Sequence, residues 1–507
     1  MAIGNEAATG AVNAGTASVA AVRRRLPAWL VAPRGDTAVR LLLIGVALAF
    51  QNYLEFPRNG LNAWLGKPLA SIFAFLALSG SLVFLILALK DRVPRWRWLR
   101  SRRTQVAVLV VTLAACPTGL HQLGVIATAG FQAPQYSNDG TTLDHYAAMQ
   151  VLRGHNPYVT VNIVSANAAL GQDALHTTPL RQGKFATIPW DSYPSKQQIQ
   201  SAFKSEPTGN PAATPEFESH VSYPALAFLP LVPFVWAGFP SVVPFFALCL
   251  IALVALLAAA APKELRPWVL LLALADAPLL DATVTGDLDI FYILLLFVAW
   301  RWWRKPLLSV LFLGLALAAK QLAWFFVPFY LILVWRERGW REAIARLAGA
   351  MAIFVAINLP FVVSDAHAWL AGILAPEVDP MFPGGNGLIR LSLGGILPLA
   401  PSIAYTALEV VVMAACIVWY WRNGQRMPEL GFVLAVLPLF FAWRSLTTYF
   451  YFVALPALAL LLARERQSDA LASASASART PARPARQSTR SNNTPRTLPR
   501  RLRSGRS

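Results

Sequence analysis

The residues best suited to chemistry lie in one polar stretch, Asn138 to Tyr158 (NDGTTLDHYAAMQVLRGHNPY), which gathers Asp139, Asp144, His145, Tyr146, Arg153, His155 and Tyr158. A carboxylate set among such groups can take a proton from a hydroxyl, so Asp144 is a candidate general base. Ala147, Ala148, Val151 and Leu152 predict a short helical face, and Gly154 followed by Asn156 and Pro157 predicts its end. This spacing places Asp144 near the helix start, where it also fits an N-cap accepting from the amide of Ala147. Asp139, within Asn-Asp-Gly, is the second candidate base, with a turn role as its structural alternative. Farther along, Lys320 and Gln321 stand between two apolar arms with no carboxylate close by in sequence. Lys320 is either a lysine snorkelling from a helix end or a point charge for a phosphate, to which an arginine such as Arg444 would add a bidentate fork.

Helices in a bilayer must position these groups. The chain of 507 residues is 56% hydrophobic and 14% charged, with mean hydropathy +0.49, which leaves no room for a large soluble core. Its formal charge of +19 sits in short runs between apolar segments and in the last residues, a pattern of topology and not of nucleic-acid recognition. Cys116, Cys249 and Cys416 each fall inside an apolar segment, as packed thiols do. The first residues lack a basic start followed by an apolar run, so no signal peptide is expected and the first span should remain as an anchor.

Charge alternation predicts an all-α polytopic fold of about twelve transmembrane helices with both termini cytoplasmic. The basic runs at Arg23–Arg25, Lys90–Arg103, Arg301–Lys305, Arg336–Arg346 and Arg422–Arg426 mark the inner side. The predicted organisation is a disordered arm (1–36), spans 1–3 (37–128), a long outer loop carrying the polar stretch (129–222), a re-entrant segment with spans 4–12 (223–463) and a disordered basic tail (464–507) that can touch anionic membrane lipid. Tyr223 to Gly238, interrupted by Pro230 and Pro233, is assigned as re-entrant because a full crossing there would invert every later loop. This topology collects Asp139, Asp144, Asp287, Asp289, Lys320, Asn386, Arg390 and Arg444 near outer span ends, where ionisable groups tend to mark function.

Several chemistries lose ground. There is no Walker loop, no Gly-x-Ser-x-Gly and no dinucleotide fingerprint. The six histidines show no metal-ligand spacing, and Asp287-x-Asp289 alone is too common a pattern to imply a divalent cation. No cofactor, metal or nucleic-acid partner is expected.

A set of short motifs in order resembles the GT-C superfamily of membrane glycosyltransferases, especially its polyprenyl-phosphate-mannose-dependent branch, which includes phosphatidylinositol-mannoside mannosyltransferases. Asp144-x-Tyr146-Ala147-Ala148 followed by Leu152-x-Gly154-x-Asn156-Pro157-Tyr158 is similar to the family's loop signature, with the tyrosine one residue early. Tyr223-Pro224, Gly286 before an apolar span, Ala318-Ala319-Lys320, Gly385-Asn386-Gly387 and Thr448-Tyr449 match in kind. The resemblance implies an inverting hexose transfer, from a polyprenyl-phosphate sugar to a glycolipid or glycan acceptor at the outer face of the cytoplasmic membrane. Asp144, with Asp139 behind it, is the implied base. Lys320 and Arg444 are implied on the donor phosphate, and Tyr146, His145, Arg153, His155, Tyr158, Gln321 and Asn386 around the substrates. Asp287 stands where the family usually has Gln. The rival readings are a lipid or sugar transporter, which predicts internal repeats and polar groups deep within spans, and a non-catalytic membrane assembly protein.

Overall fold

The computed structural model describes residues 35–55, 60–204 and 215–479. The predicted N-terminal arm up to residue 34 and the tail beyond residue 479 lie outside the described residues. The chain divides into a large unit, residues 1–464, and a small one, residues 465–507, whose described part is helical up to Arg479.

The large unit is almost wholly helical. Helices α1 (Gly35–Glu55), α2 (Gly60–Leu89, broken at Gly66) and α3 (Arg102–Ala129) come first, and α4 (Asp139–Leu152) opens the long loop. After the loop come α5 (Val243–Ala260), the bent pair α6 (Arg266–Ala275) and α7 (Ala277–Val284), α8 (Asp289–Arg301), α9 (Pro306–Ala319) and α10 (Val327–Arg338). Then follow α11 (Trp340–Ser364), α12 (Ala366–Val378), α13 (Ser402–Asn423), α14 (Leu430–Val436) and α15 (Ala454–Arg479).

The expected count of twelve spans is not confirmed. Among the described residues seven helices have the length and apolarity to cross a membrane, or eight if α6 and α7, bent by 58°, form one span. The segments that fall short are α8, α9, α10 and α14, with 13, 14, 12 and 7 residues. A helix of 13 residues reaches about 20 Å, against a hydrocarbon core of about 30 Å. Each is cut by local chemistry: Lys320 is extended at the end of α9, and Pro438 starts a 3-10 turn after α14. Ala225 to Trp236, predicted to be re-entrant, is two 3-10 turns and a five-residue helix, too short to cross.

The long and short helices have different surroundings. In α3, α11 and α13 less than a fifth of the apolar window is buried, and Val110, Leu120, Val355, Val363, Val410 and Val411 are exposed. Apolar residues left outward on long helices are what a lipid-facing surface consists of. By contrast α8 and α14 are buried on nearly all sides and form the interior.

The long loop is not a strap. Leu143 and Ala147 of α4 join Tyr158, Ile163, Phe185, Ile199, Phe217, Phe228 and Ile373 in a second apolar core.

Candidate active site

A cavity of about 1180 Å³ opens where the outer-assigned helix ends meet the long loop. Its wall takes Glu55 from the end of α1, Asp139 from the start of α4, Asp287 and Asp289 from the start of α8, Lys320 and Gln321 after α9, Asn386 and Arg390 from the segment before α13, where Arg390 lies in the short helix Ile389–Leu393, and Arg444 from the segment after α14. Among the described residues, the basic runs Lys90–Arg103, Arg301–Lys305, Arg336–Arg346 and Arg422–Arg426 lie at helix ends that do not line this cavity.

Local chemistry fixes α4. Asn138 is its N-cap, with Oδ1 accepting from the Thr141 amide at 2.8 Å, and Gly154 at φ 77° follows its last turn. Asp144 is therefore not the cap that its spacing allows. It lies two turns into the helix, 2% exposed, with Oδ1 unpartnered, and it does not line the cavity. Burial pushes its carboxyl up to about 8, against the opposing pull of Lys320.

Asp139 occupies the place expected of Asp144. It sits in the first turn of α4, half-buried, on the cavity wall. Its Oδ1 accepts from the Gly140 amide at 2.9 Å and its Oδ2 from the Thr178 amide at 2.7 Å. Thr178 is held in turn by an antiparallel exchange in which Leu180 N donates to Glu216 O at 2.8 Å and Glu218 N to Thr178 O at 3.0 Å. The backbone of one residue, Thr178, thus ties Asp139 to Glu218. The Glu218 side chain also lines the cavity, and its carboxyl is pushed up to about 8, first by burial and then by the charge of Asp139, with Arg444 opposing.

The cations divide into two kinds. Lys320 has carboxylate partners despite lacking them in sequence: its Nζ is 2.7 Å from Asp289 and 3.8 Å from Asp287, and 5.1 Å from the Tyr223 ring centroid. Gly286, at φ 80°, makes the turn that brings these aspartates round, and its carbonyl accepts from the Thr141 hydroxyl of α4. Arg390 and Arg444 form no ion pair among the described residues, and Nε of Arg390 is buried without a partner. Arg444 belongs to β2 (Arg444–Ser445), which pairs in parallel with β1 (Gly384–Gly385). Asn386 N donates to Ser445 O at 3.0 Å to extend this bridge. Only glycine fits here, because a Cβ on Gly385 would lie 1.8 Å from Ser445 O and one on Gly387 2.1 Å from Phe440 O. The Gly-Asn-Gly motif is thereby the seat of Arg444.

The other expected substrate residues separate. Gln321 and Asn386 line the cavity, although the Gln321 amide is committed to Ser222 O and Ile373 O. His145, Tyr146, Arg153, His155 and Tyr158 do not line it. His145 is buried with Nδ1 2.9 Å from the Tyr136 hydroxyl, and burial holds its imidazole down at about 4. Tyr136 OH also accepts from Val242 N, and the trio fastens α4 to the start of α5. The Tyr158 hydroxyl donates to Tyr223 O at 2.8 Å within the loop core. Arg153 and His155 are exposed beyond the helix end, His155 beside Gln150. Glu218 went unnoticed in the sequence because it lies 79 positions from Asp139 in a loop of ordinary charge; its position just ahead of Tyr223-Pro224 was the available signal.

Among the described residues no group of three His, Cys, Asp or Glu is placed to hold a metal ion. The wall offers a proton acceptor with two fixed amide donors behind it, and unpaired guanidinium groups suited to an anion. No curated protein and no solved structure matches the chain. Residues 221–443, which include Lys320, Asn386 and Arg390 and end one residue before Arg444, match the model of glycosyltransferase family 87, and this supports a membrane glycosyltransferase.

Proposed function

We propose that the protein transfers a hexose, mannose by the motifs it resembles, from a polyprenyl-phosphate carrier to a hydroxyl of a lipid or glycan acceptor. The reaction is assigned to the outer face of the cytoplasmic membrane, with both termini inside, because nucleotide sugars are cytoplasmic and an outer site needs a donor carried on lipid. The observation that carries the reading is one cavity in which the Asp139 carboxylate and the unpaired Arg390 and Arg444 face the same space.

Asp139 takes the acceptor proton as the hydroxyl oxygen bonds to the anomeric carbon. The bond from that carbon to the phosphate oxygen breaks, the configuration inverts, and polyprenyl phosphate leaves with the electron pair. Arg390 and Arg444 neutralise the departing phosphate. A base must come within about 3 Å of the hydroxyl it serves, which favours Asp139 over the enclosed Asp144. Lys320, whose charge is offset by Asp289 and Asp287, holds the cavity wall. The scheme uses neither metal nor cofactor.

The test compares wild type, Asp139→Asn and Asp144→Asn in nanodiscs supplied with radiolabelled polyprenyl-phosphate mannose and a membrane extract as acceptor pool. Wild type and Asp144→Asn should move label to a new lipid or polymer, and Asp139→Asn should be slower by about 10²- to 10⁴-fold. Equal rates for wild type and Asp139→Asn would remove the base from Asp139. Label that stays on the donor with wild type would end the transferase reading.

A further inference from the structure

The long loop contributes more than Asp139's partner, because the cavity wall it builds is aromatic. Trp190 and Tyr193 come from the loop and Trp443 from the residue ahead of β2, and all three line the cavity. Trp190 meets Trp443 at 5.6 Å and Phe382 at 5.9 Å between ring centroids, and Tyr193 rests on Phe382 at 5.8 Å. The rings are held in place before any ligand arrives. The Trp443 indole donates to Met381 O at 2.8 Å, and the Arg181 guanidinium, anchored through Nε to Ile188 O at 2.6 Å, lies 4.7 Å from the Trp190 ring centroid. Yet Tyr193 remains 57% exposed. An aromatic side chain fixed by its neighbours and left open on a polar wall adds little to the core and offers a preformed contact to a ligand.

We propose that Trp190, Tyr193 and Trp443 form a carbohydrate subsite for the acceptor, so that the acceptor presents a sugar ring and not a bare lipid alcohol. A hexose ring has a face of C–H groups that stacks on an aromatic ring and an edge of hydroxyls that needs hydrogen bonds. This wall supplies both, since the hydroxyl-bearing Thr177 and Thr178 line the same cavity as the rings. A polyprenyl chain demands a continuous apolar surface, which the carboxylates here deny it. The subsite is also adjacent to the chemistry: Asp139 and Arg444 line the same cavity as Tyr193, and Trp443 immediately precedes Arg444 in the chain. The inference rests on the transferase reading and specifies its acceptor class.

The experiment is saturation-transfer NMR on the full chain in nanodiscs with soluble mannobiose, mannotriose and maltotriose. Wild type should pass saturation to sugar ring C–H protons, and Tyr193→Ala should weaken that binding roughly 3- to 10-fold, as loss of one aromatic contact does. Trp190→Phe, which keeps a ring in the packed position, should weaken it less. Arg444→Gln should keep sugar binding while losing donor turnover. Sugar binding that responds to Tyr193→Ala supports the subsite even if wild type turns over no donor, in which case the transferase reading alone fails. No saturation transfer from wild type, or transfer unaffected by Tyr193→Ala and Trp190→Phe, overturns the subsite, and label transfer to the membrane extract would still leave the transferase reading intact.

Discussion

Gly385→Ala tests the link from a sequence motif to a functional cation. A Cβ at this position would stand 1.8 Å from Ser445 O and 2.2 Å from Ser445 C, both backbone atoms that no rotamer change can move, and the residue has φ 107°. Close but real contacts begin near 3.0–3.4 Å, so β1 and β2 must part by more than ~1 Å for the methyl to enter. Left-handed strain of about 1–3 kcal/mol and overpacking of about 1–3 kcal/mol together give about 2–6 kcal/mol. Because Arg444 rides on β2, the same separation displaces its guanidinium, and a misplacement of about 1 Å is enough for a loss near 10²-fold. Thermal unfolding in detergent and label transfer in nanodiscs should therefore fall together, the latter towards the level of Arg444→Gln. Gly384→Ala is the internal control: its Cβ would meet only a Leu446 methyl at 4.0 Å, so both readouts should stay near wild type. Wild-type stability and transfer from Gly385→Ala would refute the assignment of the glycine motif as the seat of Arg444.

Two further variants separate structural from functional charge. Lys320→Met leaves Asp289, whose side chain is 1% exposed, without its cation and should cost about 3–5 kcal/mol, most of which the double variant Lys320→Met/Asp289→Asn should restore; unchanged stability with lost donor binding would return Lys320 to the phosphate. Asp144→Asn should leave transfer intact and stabilise the protein in a pH-dependent way. Burial holds its folded carboxyl up at about 8, above the ordinary aspartate value of 3.8, so the native state holds a proton that the unfolded state releases, and wild-type stability falls as pH rises between those values. The advantage of Asp144→Asn in thermal unfolding should grow from about pH 4 to pH 8, towards a ceiling of about 6 kcal/mol, and level off above that; a difference independent of pH would refute the buried, uncharged assignment.

Elements with a local signal were legible in the sequence, and partners set by distant residues were not. The apolar segments, the basic loops between them, the α4 helix and the break around Tyr223 to Gly238 follow from hydropathy, charge, Gly and Pro, which act over a few positions. The count of twelve spans is not confirmed because hydropathy records apolarity and not uninterrupted length: α9 and the residues after it read as two arms, while the extended backbone at Lys320 and the 3-10 turn from Gln321 to Phe326 shorten both. The geometry that separates Asp139 from Asp144 was hidden for a similar reason. Both lie on α4, and which one meets solvent depends on Thr178 and Glu218, brought back from the far end of the loop. Lys320 seemed free because Asp287 and Asp289, more than 30 positions earlier, become neighbours only when α8 and α9 pack.

The broken helices and the cavity have a common physical cause. Backbone amides and carbonyls left unpaired at membrane depth are tolerated when they border protein or a wet space, and continuous helices are required where lipid is the neighbour. The long helices α3, α11 and α13 accordingly carry the exposed apolar side chains, while the interruptions at Gly286, Lys320, Gly385 and Pro438 lie among the interior elements. Each interruption does what a continuous helix cannot. The Gly286 turn delivers Asp287 and Asp289 to Lys320, the end of α9 exposes Lys320 and Gln321, and the Gly385 bridge holds Arg444 on the cavity wall. A substitution that lengthened one of these helices would bury its charge against lipid or core, where an unpaired ion costs several kcal/mol, so the breaks and the charges they present stand or fall together.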